Sequence, residues 1–295
     1  MAVDLAIEAF AVLRAEFFDA EGKPKTFHLR DKRNTQDDPF DEMVAALLAE
    51  KTPDEVRCDQ ASGPLITPDM ALYRPALCDG LPSDQLRSDT SRIVGLEVKK
   101  LERSAGGRIA RASGLDYNST PPCGTVRAYN ANGSVLDLRC FYLFVCLEWG
   151  SEPGTCSLSA LCLCDGNALN ADFDYYLSVA GQRSKEIGVG SYGDGANRNR
   201  PMVIFANPLG TPQLDHAVTL IHGKAGLASG HDKAQDAGKL RRKMPDGTSN
   251  EFSIYMQQAP DGGPLLLNDP FLTPANRSEK TTGRGKFLIG VRPSS

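Results

Sequence analysis

A single α/β domain spanning residues 1–295, with a central mixed β-sheet flanked by helices, is the fold class this sequence predicts. Two observations carry the prediction. Segments of helical period open the chain, and strand-like segments dominate from residue 64 onward with helical stretches interspersed among them. The expected division is an N-terminal helical region over about residues 1–60 and a sheet core over about residues 64–225.

The first helix is expected over residues 4–18, where Leu5, Ala9, Val12, Leu13 and Phe17 recur at helical spacing behind Asp4 as N-cap. A second begins at Asp38-Pro39 and runs through "FDEMVAALLAE", with Phe40, Met43, Val44, Leu47 and Leu48 as its apolar stripe. Glu50 borders that stripe, because seven residues at about 100° each bring it back near the direction of Met43. Strand texture follows in "LITPDMALY", "RIVGLEVKKL", "GTVRAY", "VLDLRCFYLFVCLEW" and "SLSALCLC", and later in "PMVIFANPL", "AVTLIHG", "FSIYMQ" and "KFLIGV". Further helices are expected near residues 171–180 and 231–243, and a long loop over residues 265–285.

Composition bounds the chemistry. A hydrophobic content of 41% is enough to build a sizeable core, and no run approaches the roughly 20 apolar residues that span a bilayer. The opening "MAVDLAIEAFAVLRAEFF" has no basic leader and carries early acids, so a cytoplasmic location without membrane association is the expectation. The eight cysteines sit largely in apolar runs and read as small buried hydrophobes under reducing conditions. The net charge of -4 is unevenly spread. Residues 1–60 hold 14 acids and 8 bases, whereas residues 87–111 hold seven bases against three acids and residues 222–243 six against two.

Several motifs fail on context. "GVGSYGDG" contains Gly-x-Gly-x-x-Gly but runs into "ANRNRP", which cannot start the apolar helix a dinucleotide site requires. "HGKAG" lacks the spacing of a phosphate loop, and "GLASGHDK" is not a nucleophile elbow. "CSLSALCLC" lacks the paired cysteines and nearby histidine of a tetrahedral zinc site.

One constellation survives. In "RIVGLEVKKL" strand alternation sends Val94, Leu96 and Val98 to one face and Glu97 with Lys99 to the other. Pro-Asp occurs four times, but only Asp69 lies in a strand-like segment upstream of this Glu-x-Lys. The 27 residues between Asp69 and Glu97 exceed a bare hairpin, so a loop or excursion must fit there. Two hard carboxylates at a strand edge suit Mg²⁺, which keeps coordination positions for water and phosphate oxygens, and a neighbouring lysine suits the attacking water.

Pro68-Asp69 followed by Glu97-Val98-Lys99 resembles the signature of the PD-(D/E)XK nuclease superfamily, and the chain length is similar to that of type II restriction endonucleases. The resemblance covers about 31 residues directly. It implies a restriction-endonuclease-like sheet flanked by helices in a single nuclease domain. It also implies Asp69 and Glu97 as Mg²⁺ ligands assisted by the Val98 carbonyl, with Lys99 near the attacking water and Glu50 as an additional acid from the preceding helix. The implied activity is sequence-specific hydrolysis of double-stranded DNA to 5′-phosphate and 3′-hydroxyl ends by a homodimer. The readings weighed beside it are a repair or modification-dependent nuclease of the same superfamily and a non-catalytic nucleic-acid-binding protein. DNA contacts are expected from the run after the strand (Lys100, Arg103, Arg108, Arg111), from Arg183, Lys185, Asn197, Arg198 and Arg200, and from Lys239, Arg241 and Arg242.

Overall fold

The computed structural model describes residues 2–34, 37–61, 68–105, 109–113, 124–130, 133–170, 218–224, 235–243, 249–257 and 288–289. Helix α1 (Leu5–Phe17) is capped by Asp4, whose side chain accepts from the Ala6 N–H. Helix α2 (Pro39–Lys51) has Asp38 as cap and proline in its first turn. Both follow the helical periodicity of the sequence.

The strands build one mixed sheet. Its main path runs β2 (Arg57–Gln60), β3 (Met70–Tyr73), β4 (Ile93–Arg103), β7 (Val135–Trp149), β8 (Thr155–Asp165), β9 (Val218–His222), β11 (Ser249–Gln257) and β10 (Gln235–Lys243). Beside that path, β1 (Phe27–His28) pairs with β8, β5 (Ile109–Ser113) with β4, and β6 (Thr125–Asn130) with both β7 and β12 (Leu288–Ile289). The β4–β7 and β8–β9 pairs are parallel, while β2–β3, β3–β4 and β7–β8 are antiparallel. Strand β7 is the centre: its second half is buried on both faces, as a strand flanked on each side must be.

Two apolar clusters cover the sheet's faces. On one, α1 and α2 set Phe10, Leu13, Phe40 and Val44 on Leu72, Leu96, Val98, Leu143 and Leu163. On the other, Tyr73, Ile93, Tyr142 and Phe144 pack with Leu86, Val126 and Ala168. The long connection from β3 to β4 holds two short helices, α3 (Pro75–Cys78) and α4 (Ser83–Ser88), while α5 (Gly166–Asn170) follows β8. The sheet extends past residue 225 through β11 and β10, and the N-terminal 60 residues contribute β1 and β2 as well as helices. Among the described residues no helix is long and apolar enough to cross a membrane.

Residues 235–243 are a strand, not the helix their composition suggested, because β10 pairs with β11 along its whole length. The segments expected as a helix at 171–180, as the strand "PMVIFANPL", as the Gly-rich "GVGSYGDG" and as the loop at 265–285 lie outside the described residues.

A buried polar clasp ties the N-terminus to distant strands. Asp4 receives the Nε2 of His222 at 3.1 Å and the Nζ of Lys224 at 3.2 Å, and the Thr90 hydroxyl donates to it as well. The Lys224 N–H donates to His222 Nδ1 at 3.0 Å, leaving Nε2 as the donor to Asp4. Burial would raise the Asp4 carboxyl, but the bonds and charges of His222, Thr90 and Lys224 hold it well below the usual carboxylate range.

Candidate functional site

Register brings the sequence-distant acids together. Met70 pairs with Leu96 and Ala71 with Gly95, so Asp69 immediately precedes β3 at the level of the Glu97-Val98-Lys99 segment of β4. Beyond Met70 the ladder stops, and the Asp69 carboxylate takes over: the Val98 N–H donates to its Oδ2 at 2.7 Å. Alternation directs Glu97 and Lys99 to the sheet face opposite α1 and α2, while Val94, Leu96 and Val98 enter the cluster under those helices.

Gly95 allows this approach. A Cβ there would stand 2.9 Å from Val126 Cγ2 and 3.2 Å from Pro68 Cγ, so Pro68 can lie over the strand only because position 95 has no side chain. Gly95→Ala is expected to cost about 1–3 kcal/mol and to shift the Pro68-Asp69 turn. Urea denaturation checks it, and an unchanged midpoint would show that the contact is relieved at no cost.

Glu97 and Lys99 are both buried, and Lys99 Nζ donates to Glu97 Oε1 at 2.7 Å. Glu97 Oε2 is buried with no hydrogen-bond partner among the described residues. Such an oxygen carries a desolvation cost of about 1–3 kcal/mol or more unless something positive meets it. Burial, then the charges of Glu97 and Asp41, push the Asp69 carboxyl well above its ordinary range, against the opposing Lys99 charge and Val98 bond.

The α2 acid whose charge acts on Asp69 is Asp41, in the first turn of the helix. Glu50 is exposed at the other end of α2, about 13 Å further along the axis. Burial pushes the Asp41 carboxyl up to about 6, with the Asp38 charge adding to the rise and Lys100 and Lys99 opposing it. Lys100 is 3% exposed, sits on the helix side of β4, donates to Asp41 Oδ1 at 2.7 Å and also pairs with Asp38. It was expected among the DNA contacts; it instead fastens α2 to the sheet. The cue in the sequence was the Asp38 cap, which fixes Asp41 in the first turn; which end of the helix meets the site depends on packing.

Other expected contacts fall in three places. Arg103 is largely buried near the end of β4, on the face of Glu97 and Lys99, with its Nε 3.9 Å from Glu148. Arg111 belongs to β5 opposite Glu102 in register. On β10, Lys239 and Arg241 are exposed and both approach Glu251, at 2.6 and 3.7 Å, and Arg242 pairs in register with Asn250. Arg108, Arg183, Lys185, Asn197, Arg198 and Arg200 lie outside the described residues.

Could the site hold a metal ion? Among the described residues no three His, Cys, Asp or Glu side chains are gathered as a ready ligand set. A pair of carboxylates remains, one with an unpartnered buried oxygen and the other with a strongly raised carboxyl. That donor set fits a hard divalent cation such as Mg²⁺, which is commonly held by one or two carboxylates and otherwise by water. Compared with known protein families, curated proteins and solved structures, the chain matches none.

Proposed function

We propose that this chain is a Mg²⁺-dependent, sequence-specific DNA endonuclease of the type II restriction kind, with a restriction-endonuclease-like fold, acting as a homodimer. The observation that carries the reading is the buried, unpartnered Glu97 Oε2 beside Lys99, at a strand edge that also holds Asp69. In the reaction a water gives up a proton as its oxygen bonds to phosphorus, and the bond to the 3′ oxygen breaks as that oxygen takes up a proton from solvent, leaving a 5′-phosphate and a 3′-hydroxyl. Asp69, Glu97 and the Val98 carbonyl would hold Mg²⁺, which neutralises phosphate charge and lowers the pKa of a bound water. Lys99 holds Glu97 in place through its bond to Oε1, and its ammonium supports the negative charge that builds on the phosphoryl oxygens. Val98, through its N–H, holds Asp69 in place. Asp41 adds negative potential from the helix side.

Unmethylated plasmid incubated with protein and Mg²⁺ tests this reading. Discrete fragments with 5′-phosphate ends are expected; cutting confined to methylated or damaged DNA would instead identify a modification-dependent or repair nuclease. One other reading is a non-catalytic nucleic-acid-binding protein, in which the Glu97–Lys99 ion pair serves only to hold the strand. Salt-sensitive DNA binding with no cutting at any Mg²⁺ concentration would establish that alternative.

The exposed bases on β10 give a separate expectation. Each phosphate contact contributes about 0.9 to the slope of log affinity against log salt. Lys239→Ala combined with Arg241→Ala is expected to flatten that slope by about 1–2, as read by fluorescence anisotropy, without altering the chemistry at Lys99. An unchanged slope removes β10 from the DNA interface.

A further inference from the structure

Arg103 ends β4 in an electrostatically incomplete state. Its side chain is 11% exposed, and both Nε and Nη2 are buried without a hydrogen-bond partner among the described residues. The nearest carboxylate oxygen, Glu148 Oε1, lies 3.9 Å from Nε, beyond hydrogen-bond reach. That oxygen already accepts the Ser159 hydroxyl at 2.6 Å and the Cys146 thiol at 3.4 Å. Glu148 thus supplies charge to Arg103 without satisfying its donors.

A guanidinium cannot escape this situation by losing its proton, and a buried donor left unmade costs about 1–3 kcal/mol. Its planar fork matches two oxygens of a phosphate. Strand alternation puts Arg103 on the same face as Glu97 and Lys99, and four residues of strand separate it from Lys99 by about 13 Å. A DNA strand rises about 3.4 Å per nucleotide along its axis, so that distance corresponds to roughly two to four nucleotides.

We propose that Arg103 is the seat of an anion site that grips a backbone phosphate two to four nucleotides from the one being cut, with Glu148 as the neighbouring charge that opposes the anion. This rests on the nuclease reading for the identity of the substrate, but the site is assigned from the unmet donors. In this role Arg103 is a positioning residue: it registers the duplex on β4 and does not touch the reacting atoms.

The test is duplex DNA binding by fluorescence anisotropy in EDTA across a range of salt concentrations, for the wild type, Arg103→Ala and Glu148→Gln. Arg103→Ala is expected to bind about tenfold more weakly with a salt slope lower by about 0.9, the loss of one phosphate contact. Glu148→Gln removes the competing carboxylate charge and is expected to bind several-fold more tightly. If Arg103 serves only an internal ion pair, neither affinity nor slope moves in either variant, and the proposal is overturned. Should Arg103→Ala not fold, Glu148→Gln decides alone, tighter binding supporting the site and unchanged binding overturning it. Wild type that binds DNA with this pattern but never cuts with Mg²⁺ removes the nuclease reading and leaves the anion site standing. Wild type that binds no DNA overturns both.

Discussion

Replacing Lys99 by alanine is expected to lower Mg²⁺-dependent plasmid cleavage by about 10²–10⁴-fold, the range over which a positioned proton-transfer or charge-stabilising group acts. The same change strips Glu97 Oε1 of its partner, so both oxygens of a buried carboxylate would then be unpartnered. Some loss of stability is expected with the loss of activity, and the two must be separated. Asp69→Asn separates them. An asparagine oxygen still accepts from the Val98 N–H, so the turn into β3 is preserved while the charge is lost. The expected pair of results is a thermal midpoint close to wild type and cleavage reduced by at least a hundredfold. Lys99→Arg should not restore activity, since the planar guanidinium does not reproduce a compact ammonium against Glu97. Cleavage within tenfold of wild type in either Lys99→Ala or Asp69→Asn would sink the site assignment.

The second large effect concerns stability. Asp4→Ala removes the N-cap of α1, worth about 1 kcal/mol, and leaves buried His222 and Thr90 without their acceptor. Breaking a buried charged cluster by deleting one member typically costs about 3–5 kcal/mol, and that is the loss expected in urea denaturation at neutral pH. Asp4→Asn keeps the cap and should lose less. The pH dependence follows from the direction of the Asp4 shift. Its folded carboxyl holds its proton less tightly than the unfolded one, whose pKa is about 3.9. The unfolded chain therefore takes up the proton first, and the contribution is complete above about pH 4 and lost as the pH falls further. In Asp4→Asn that acid-limb loss should flatten; an unchanged acid limb would show that Asp4 does not control it.

What was legible in the sequence depended on how local the deciding interaction is. The limits of β7 could be read because an alternating start that passes into a continuous apolar run, within fifteen residues, admits little else. Both N-terminal helices announced themselves through caps that act within a turn. β10 misled because "QDAGKLRRK" has no apolar alternation; only the partner strand β11 makes it extended. β2 and β5 were missed for the same reason, being short and held by ladders to β3 and β4. At the candidate site, alternation was enough to put Glu97 and Lys99 on one face. The antiparallel register that carries Asp69 to Val98 is a long-range pairing, bridged by the two short helices of the β3–β4 connection. Glu50 and Asp41 show the limit of a helical wheel, which finds the face of a helix but not which end of it meets the sheet.

The clasp around Asp4 also sets a timetable for synthesis. Asp4 precedes its partner His222 by 218 residues. At translation rates of about 5–20 residues per second, that interval is roughly 10–45 s. Throughout it Asp4 has only its own cap bond and the Thr90 hydroxyl as partners, so the clasp is the last contact of α1 to close, once β9 has left the ribosome.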